Sequence, residues 1–456
     1  MGGVDRVRYV DFLRGAAIVV VVLGHWVITA LVRHPDGTIS APELLATVEW
    51  AQWLTLVFQI MPVFFLAGGH AAAGSWRRHR EGGGGAAGWV RGRAVRLLLP
   101  TTAYVGIAVA CLAAARAAGA DPGLLGTVGW ALAMQFWFLP VYLVVSALTP
   151  WLYAASRRWG LASTAALAAL AVVVDVVDLA GHGSPVGAAN HVLVWAVAYQ
   201  LGFGWEDGRL PGRRPLLWTV AGCGAAAFAG LVAYGPFPVA LIRVSTEEVG
   251  NTDPPSVAML AWVLAQCALC LLAAPAMERA LRAEWLWRLV RPLGRVSMTL
   301  YLWHMVPVLA AAAAFYLTDV APEPPVGSGV WWAWRPVWIA VLTLFLLGLL
   351  LALRPVERGL LRVGRAVRPQ AEVRGPLAVL AGLAGLVCAI GTLTVRAGEG
   401  LAAGGHSGSL DGGGLRRGNG PGAASAGPHG DFPPPGYRDL LLTGGHSRTP
   451  DPPPLI

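Results

Sequence analysis

Apolar residues in this chain come in long unbroken runs, separated by short polar segments rich in arginine, glycine and proline. An α-helix needs roughly 20 apolar residues to cross a hydrocarbon core about 30 Å thick. Runs of that kind lie near residues 10–32, 51–73, 96–117, 134–155, 161–180, 190–205, 215–234, 257–277, 296–317 and 331–353, with a last one near 375–395. The pattern predicts an all-α fold, a polytopic transmembrane helix bundle of about ten or eleven helices. After about residue 397 the chain turns to Gly, Pro, Ser and His and closes on Pro-Pro-Pro-Leu-Ile. That tail cannot build a core and is expected to be disordered. The chain thus divides into a membrane core at 1–355, a basic linker with an extra span at 356–396, and a Gly/Pro-rich tail at 397–456.

Composition strengthens the membrane reading. Hydrophobic residues make up 56% of the chain and charged ones 13%, with a mean hydropathy of +0.58. Soluble domains carry about 25% charged residues, and a soluble chain of this length must keep enough polar area to face water. The net charge of +9 raises the question of nucleic acid. All the basic residues are arginines, however, and they sit between apolar runs rather than in a stripe interleaved with aromatics.

Arginine instead marks alternate loops. Arg6 and Arg8; Arg77, Arg78, Arg80, Arg91, Arg93 and Arg96; Arg157 and Arg158; and Arg209, Arg213 and Arg214 begin the series. It continues through 279–295 and 354–374, while the loops between are poorer in arginine and hold Asp36, Glu43, Asp121, Glu247, Glu248, Asp253, Asp319 and Glu323. The positive-inside rule then places the N-terminus in the cytoplasm of a multi-pass protein of the cell (inner or plasma) membrane. With eleven spans the tail lies outside the cell, and with ten it lies inside. Absence of lysine and abundance of Ala and Gly point to a high-GC bacterial genome. The first run is long and carries Asp11, Arg14 and His25, so it reads as a retained helix rather than a cleaved signal. Cys267 and Cys270 form a C-x-x-C deep in an apolar run without a second pair or a nearby His, which reads as packing rather than a metal or redox site.

The first helix carries the candidate chemistry. Arg14 and His25 are eleven residues apart, three turns plus ~20°, so they share one face at a separation of ~16 Å along the axis. Asp11 lies within ~40° of His25 on that face. If Arg14 marks the inner interface, His25 falls near the middle of the bilayer. Ionisable residues there are costly and face protein or water. Plainer readings stand beside this one: Asp11 and Arg14 as an i,i+3 ion pair at the membrane edge, and His25 as an interhelical hydrogen-bonding group. Further along, Ser297, Tyr301 and His304 fall on one helix face at spacings of four and three, where packing explains such a face as readily as catalysis does. Asp175, Asp178, His182, Asn190 and His191 surround the loop after the fifth run, as an acceptor entrance or simply a solvated loop.

Together these segments resemble the acyltransferase-3 family of integral membrane O-acyltransferases. The stretch Tyr9-x-Asp11-x-Leu13-Arg14-Gly15 with His25 is similar to the family's opening helix, where an Arg, ten residues and a His recur. Met61-Pro-Val-Phe-Phe-Leu-Ala-Gly68, Arg93-Ala-Val-Arg96, Trp137-Phe-Leu139 and Gly294-Arg-Val-Ser297-Met-Thr-Leu-Tyr301-Leu-Trp-His304 resemble later family segments in order, over about residues 6–355. The chain departs from the pattern at Ala67, often Ser in the family, at His70, near an aromatic position, and at Gln135, where a His often precedes the W-F-L segment.

The resemblance implies transfer of an acyl group, acetyl in the first instance, from acyl-CoA to a hydroxyl of a carbohydrate or similar acceptor. His25 is the expected general base, since an imidazole with a reference pKa of about 6.5 is substantially neutral at pH 7. Arg14, Arg93 and Arg96 are expected on the CoA phosphates. By itself the Arg93/Arg96 pair reads as a topology signal, although guanidiniums one turn apart suit a phosphate or diphosphate. Asp11, Ser297, Tyr301 and His304 are expected to line the substrate site, and no metal is expected. The partners implied are acyl-CoA, a hydroxyl-bearing glycan and the lipid bilayer, not nucleic acid. The alternative from another class is a transporter or flippase in which the Arg14–His25 stripe forms a proton or substrate path.

Overall fold

The computed structural model describes residues 7–35, 39–181, 185–318 and 320–367, all within the first of two units of the chain, Met1–Gly408. The helices are α1 (Arg8–Ile28), α2 (Leu44–Thr47), α3 (Leu54–Phe58), α4 (Met61–Glu81), α5 (Ala86–Ala117), α6 (Pro122–Ala133), α7 (Phe138–Ala147) and α8 (Thr149–Trp159). They continue as α9 (Leu161–Ala180), α10 (Asn190–Glu206), α11 (Arg214–Tyr234), α12 (Val257–Ala280), α13 (Glu284–Trp303), α14 (Val306–Ala311) and α15 (Gly329–Val367). A two-stranded hairpin, β1 (Val32–Arg33) with β2 (Ile39–Ser40), follows α1.

Among the described residues, eight helices are long and apolar enough to cross a membrane, or nine if the bent pair Val296–Trp303 and Val306–Tyr316 is one span. Each of the ten expected runs in this range coincides with a helix. The run at 190–205 forms the 17-residue α10, about 26 Å long by its rise. The fourth run is displaced from expectation: its helix starts at Pro122, capped by Asp121 Oδ1 accepting from Leu124 N at 2.8 Å, and ends at Ala147 ahead of Pro150. The expected span at 375–395, the tail from 397, and Arg6, Asp36, His182 and Asp319 lie outside the described residues.

Burial sorts the helices. Most of α10 is buried, from Val194 to Trp205, and α4 packs along it. Glycine makes that crossing close: a Cβ on Gly69 would fall on the Tyr199 carbonyl, and one on Gly202 on the Leu66 carbonyl. Interfaces of this kind replace the hydrophobic effect, which is absent between helices in lipid, with close backbone packing. Other helices turn apolar faces outward, as Val172, Val173, Val176 and Val177 do on α9 and Leu344, Leu347 and Leu351 on α15. In a bilayer those faces meet acyl chains.

The arginine-bearing loops gather at one end of the bundle. Arg8 Nη1 donates to Leu281 O at 2.8 Å, Arg77 pairs with Glu206 at 2.7 Å, and Arg209 Nη1 donates to Ser156 O at 2.7 Å. At the opposite end the connections interlock, with Glu43 accepting from Ser245 N at 3.2 Å and Gln59 donating to Leu241 O at 2.7 Å. The first half of α1 is held against α12 and α13. Glu278 Oε1 accepts from Tyr9 N at 3.0 Å, and Gly15 lets Leu293 of α13 approach closely.

Candidate active site

Pro307 creates the opening in which the site is built. It supplies no backbone N–H, so the helix breaks between α13 and α14 with a bend of 45°. His304 caps α13 at that break and is fully buried. Carbonyls freed there are taken by side chains from elsewhere: Trp26 Nε1 donates to His304 O at 2.8 Å and Gln135 Nε2 to Leu302 O at 3.2 Å. Buried backbone acceptors need such partners. Tyr301, one turn back, donates its hydroxyl to Gln135 O at 2.6 Å.

The break carries His304 onto α1. His25 Nδ1 and His304 Nε2 are 2.7 Å apart, with the rings stacked at 5.0 Å between centroids. His304 Nδ1 lies 2.8 Å from the Tyr301 carbonyl, which only accepts, so this nitrogen must hold the proton. With both rings neutral, His304 Nε2 is therefore an acceptor, and His25 Nδ1 donates to it. That assignment, made from the partners, leaves the lone pair of His25 on Nε2. His25 itself is half-buried, whereas His304 is sealed. The relay Tyr301 C=O, His304, His25 thus orients one imidazole as a proton acceptor.

His25 stands in the last turn of α1, which ends at Ile28, short of the apolar run that extends to residue 32. Thr29 makes the last intrahelical bond, and side chains of α15 take the carbonyls beyond it. Thr29 N and Oγ1 both donate to His25 O, at 3.0 and 2.6 Å, while Trp338 Nε1 donates to Trp26 O at 3.1 Å and Arg335 Nη1 to Thr29 O at 2.8 Å. Arg335 is buried, its guanidinium 3.5 Å from the Trp331 ring centroid. It sits favourably at a helix C-terminus.

The other expected residues are distributed as follows. Arg14 is half-buried toward the arginine-rich end and makes no hydrogen bond or ion pair with another described residue, so the i,i+3 pair with Asp11 does not form. Asp11 is half-buried on the same helix. Arg93 and Arg96 part company: Arg93 is half-buried over the Trp89 ring at 4.7 Å and beside Tyr142 and Tyr199, while Arg96 is exposed. Tyr301 and His304 join His25, but Ser297 does not, its Oγ reaching only Gly294 O at 3.4 Å.

At the opposite end Asp175 accepts from Val257 N at 2.9 Å and caps α12, and Asn190 donates to Ala171 O at 3.1 Å. His191 lies 3.1 Å from Asp253 and holds that carboxyl below the usual carboxylate range by hydrogen bonding and charge. These groups have local structural partners. Among the described residues no group of three or more His, Cys, Asp or Glu is arranged to hold a metal ion, and Cys267 and Cys270 are free thiols.

Sequence reasoning passed over Gln135, Trp26, Trp338 and Arg335. Gln135 stood out only as a departure from a family His, yet its amide also donates to Leu132 O at 2.9 Å and ties the α6–α7 junction to the α13–α14 break. Arg335 did carry a signal, being an ionisable residue inside an apolar run. The two Trp residues carried none beyond their type.

Fold and site together define a multi-pass membrane protein with a hydrogen-bonded pair of imidazoles set into its helix bundle. A family model described as an acyltransferase domain, that of acyltransferase-3, matches residues 7–354, and the chain belongs to this family of membrane acyltransferases. No curated protein and no solved structure matches it. Membership makes the chain an enzyme that transfers acyl groups other than aminoacyl groups, which sets aside a transporter or flippase without acyl-transfer chemistry.

Proposed function

We propose that the protein transfers an acyl group, acetyl in the simplest case, from acyl-CoA to a hydroxyl of a carbohydrate or similar acceptor. We place the arginine-rich end, with the N-terminus, in the cytoplasm of the cell (inner or plasma) membrane. The donor then enters from that side and the acceptor from the other. The observation that carries the reading is the His25–His304–Tyr301 relay, which leaves His25 Nε2 with its lone pair.

In this mechanism His25 Nε2 takes the proton of the acceptor hydroxyl as its oxygen attacks the thioester carbonyl. The C–S bond then breaks, and the departing thiolate recovers that proton from His25 as CoA thiol. The ester oxygen remains on the acceptor, so atoms and charge balance without a further reactant. His304 stabilises the transient imidazolium through its Nε2, and Tyr301 holds His304. Arg14, about 16 Å from His25 along α1, and Arg93 and Arg96 on α5 serve the donor phosphates. Asp11 lines the passage, and Ser297 the donor side of α13.

The test is thiol release from acetyl-CoA by the purified, detergent-solubilised protein with a pool of glycan acceptors, for wild type, His25→Ala and Arg14→Ala. Acceptor-dependent release lost in folded His25→Ala is the expected result. Release that persists in His25→Ala would overturn the role of that residue, and none from wild type across many acyl-CoAs would overturn the donor.

A further inference from the structure

A cleft of about 300 Å³ opens at the arginine-rich end between α4 and α8, lined by Trp76, Arg77, Arg80, Glu81, Pro150 and Tyr153. Its two guanidiniums differ. Arg77 is committed, 2.7 Å from Glu206 and 3.9 Å from Glu81. Arg80 is exposed and makes no ion pair with another described residue; its guanidinium lies 5.6 Å from the Trp76 ring centroid. Trp76 meets Trp89 edge-on at 5.6 Å, and Arg93 lies over Trp89 at 4.7 Å. Cation and indole thus alternate from the open cleft to Arg93 inside the bundle.

This set complements a purine nucleotide. The half-buried Tyr153 ring offers a stacking face to a base, an uncommitted guanidinium takes a phosphate, and a carboxylate can accept from an exocyclic amine. The surroundings add attraction for a polyanion, because Arg78, Arg157 and Arg158 stand exposed at the same end. The position suits a long ligand. Phe58, just before α4, packs on Gly24 beside His25, and Arg77 lies sixteen residues beyond Met61, ~24 Å along the axis. A molecule with its thioester at His25 and its nucleotide in the cleft would run the length of α4.

Resting on the acyl-CoA reading above, we infer that this cleft seats the adenosine 3′,5′-bisphosphate end of the donor, with Arg80 on phosphate and Tyr153 against the purine. The test is calorimetric titration of CoA and of adenosine 3′,5′-bisphosphate into the purified full chain in neutral detergent, with melting curves confirming that each variant folds. Wild type and His25→Ala bind both ligands alike. Arg80→Gln and Tyr153→Leu each weaken CoA about tenfold or more, the loss expected for one charge-assisted hydrogen bond or one stacked base. Arg158→Gln removes the same charge outside the cleft and leaves affinity within about twofold.

Wild-type affinity in both cleft variants overturns the inference and leaves the donor reading intact. Equal weakening by Arg158→Gln overturns it in favour of diffuse charge. Displacement of the nucleotide on reconstitution into phosphatidylglycerol vesicles overturns it in favour of a lipid headgroup. Absence of any CoA binding by wild type removes the donor reading and the cleft assignment together.

Discussion

Replacing His304 with Leu removes the acceptor of the 2.7 Å bond from His25 Nδ1 without touching His25 itself. In the resting enzyme that bond is neutral and is worth about 1 kcal/mol net. As His25 takes a proton the bond becomes charge-assisted, worth about 1.5–3 kcal/mol. The difference, roughly 0.5–2 kcal/mol, acts only in the transition state and corresponds to a fall in kcat of roughly 2- to 30-fold. Freedom of the His25 ring to choose either tautomer adds about a factor of two. Loss of the base itself in His25→Ala is larger, about 10²–10⁴-fold. The KM for the donor stays near wild type in His304→Leu, because His304 is fully buried and lies away from the arginines. His304→Gln, whose amide oxygen can accept, recovers part of the rate. The double variant is no slower than His25→Ala, since both act through one proton transfer. Acceptor-dependent thiol release, read beside a melting curve, measures all four. Wild-type kcat in His304→Leu would refute the relay, and a collapse there with activity surviving in His25→Ala would make His304 the base.

Two further outcomes follow from the packing. Gly202→Ala places a methyl on the Leu66 carbonyl; the helices must separate at a cost of about 1–3 kcal/mol or more, seen as a lower melting temperature in detergent, and an unchanged value would contradict the close crossing of α4 and α10. Tyr301→Phe strips the Gln135 carbonyl of its 2.6 Å donor and costs about 1–3 kcal/mol of stability. It also lowers kcat several-fold by loosening the turn whose backbone carbonyl holds His304 Nδ1, whereas Ser297→Ala, whose hydroxyl reaches only its own helix, leaves kcat unchanged; the reverse ranking would place Ser297 beside the reacting groups.

Much of the architecture was legible before any coordinates because the bilayer demands it. A run such as 257–277 has no alternative in hydrocarbon but a helix, and α12 covers it at Val257–Ala280. Alternating arginine loops likewise implied one shared end, and contacts such as Arg8 with Leu281 and Arg77 with Glu206 bring those loops together. Helix edges were less legible. The apolar run from 10 to 32 hid the end of α1 at Ile28, where Arg335 and Trp338 take carbonyls through hydrogen bonds that hydropathy does not register.

The candidate residues divide along the same line. Family motifs and membrane cost together marked His25, Tyr301 and His304, since an ionisable group in an apolar helix is conspicuous in one dimension. Their mutual arrangement was not in the spacing. His25 and His304 are separated by 279 positions, and only the bend at Pro307, the crossing at Gly15 and the carbonyls taken by Trp26 and Gln135 bring their nitrogens into line. The same three-dimensional packing kept the hydroxyl of Ser297, which shares their helix face on paper, on its own helix and away from the imidazole pair, and gave Arg93 and Arg96 different surroundings one turn apart. Periodicity and hydropathy report which residues a helix can bury, so the sequence determined the bundle and its polar stripe. Hydrogen-bond geometry belongs to contacts between helices, so tertiary structure alone decided which imidazole faces which, and which nitrogen is left to accept a proton.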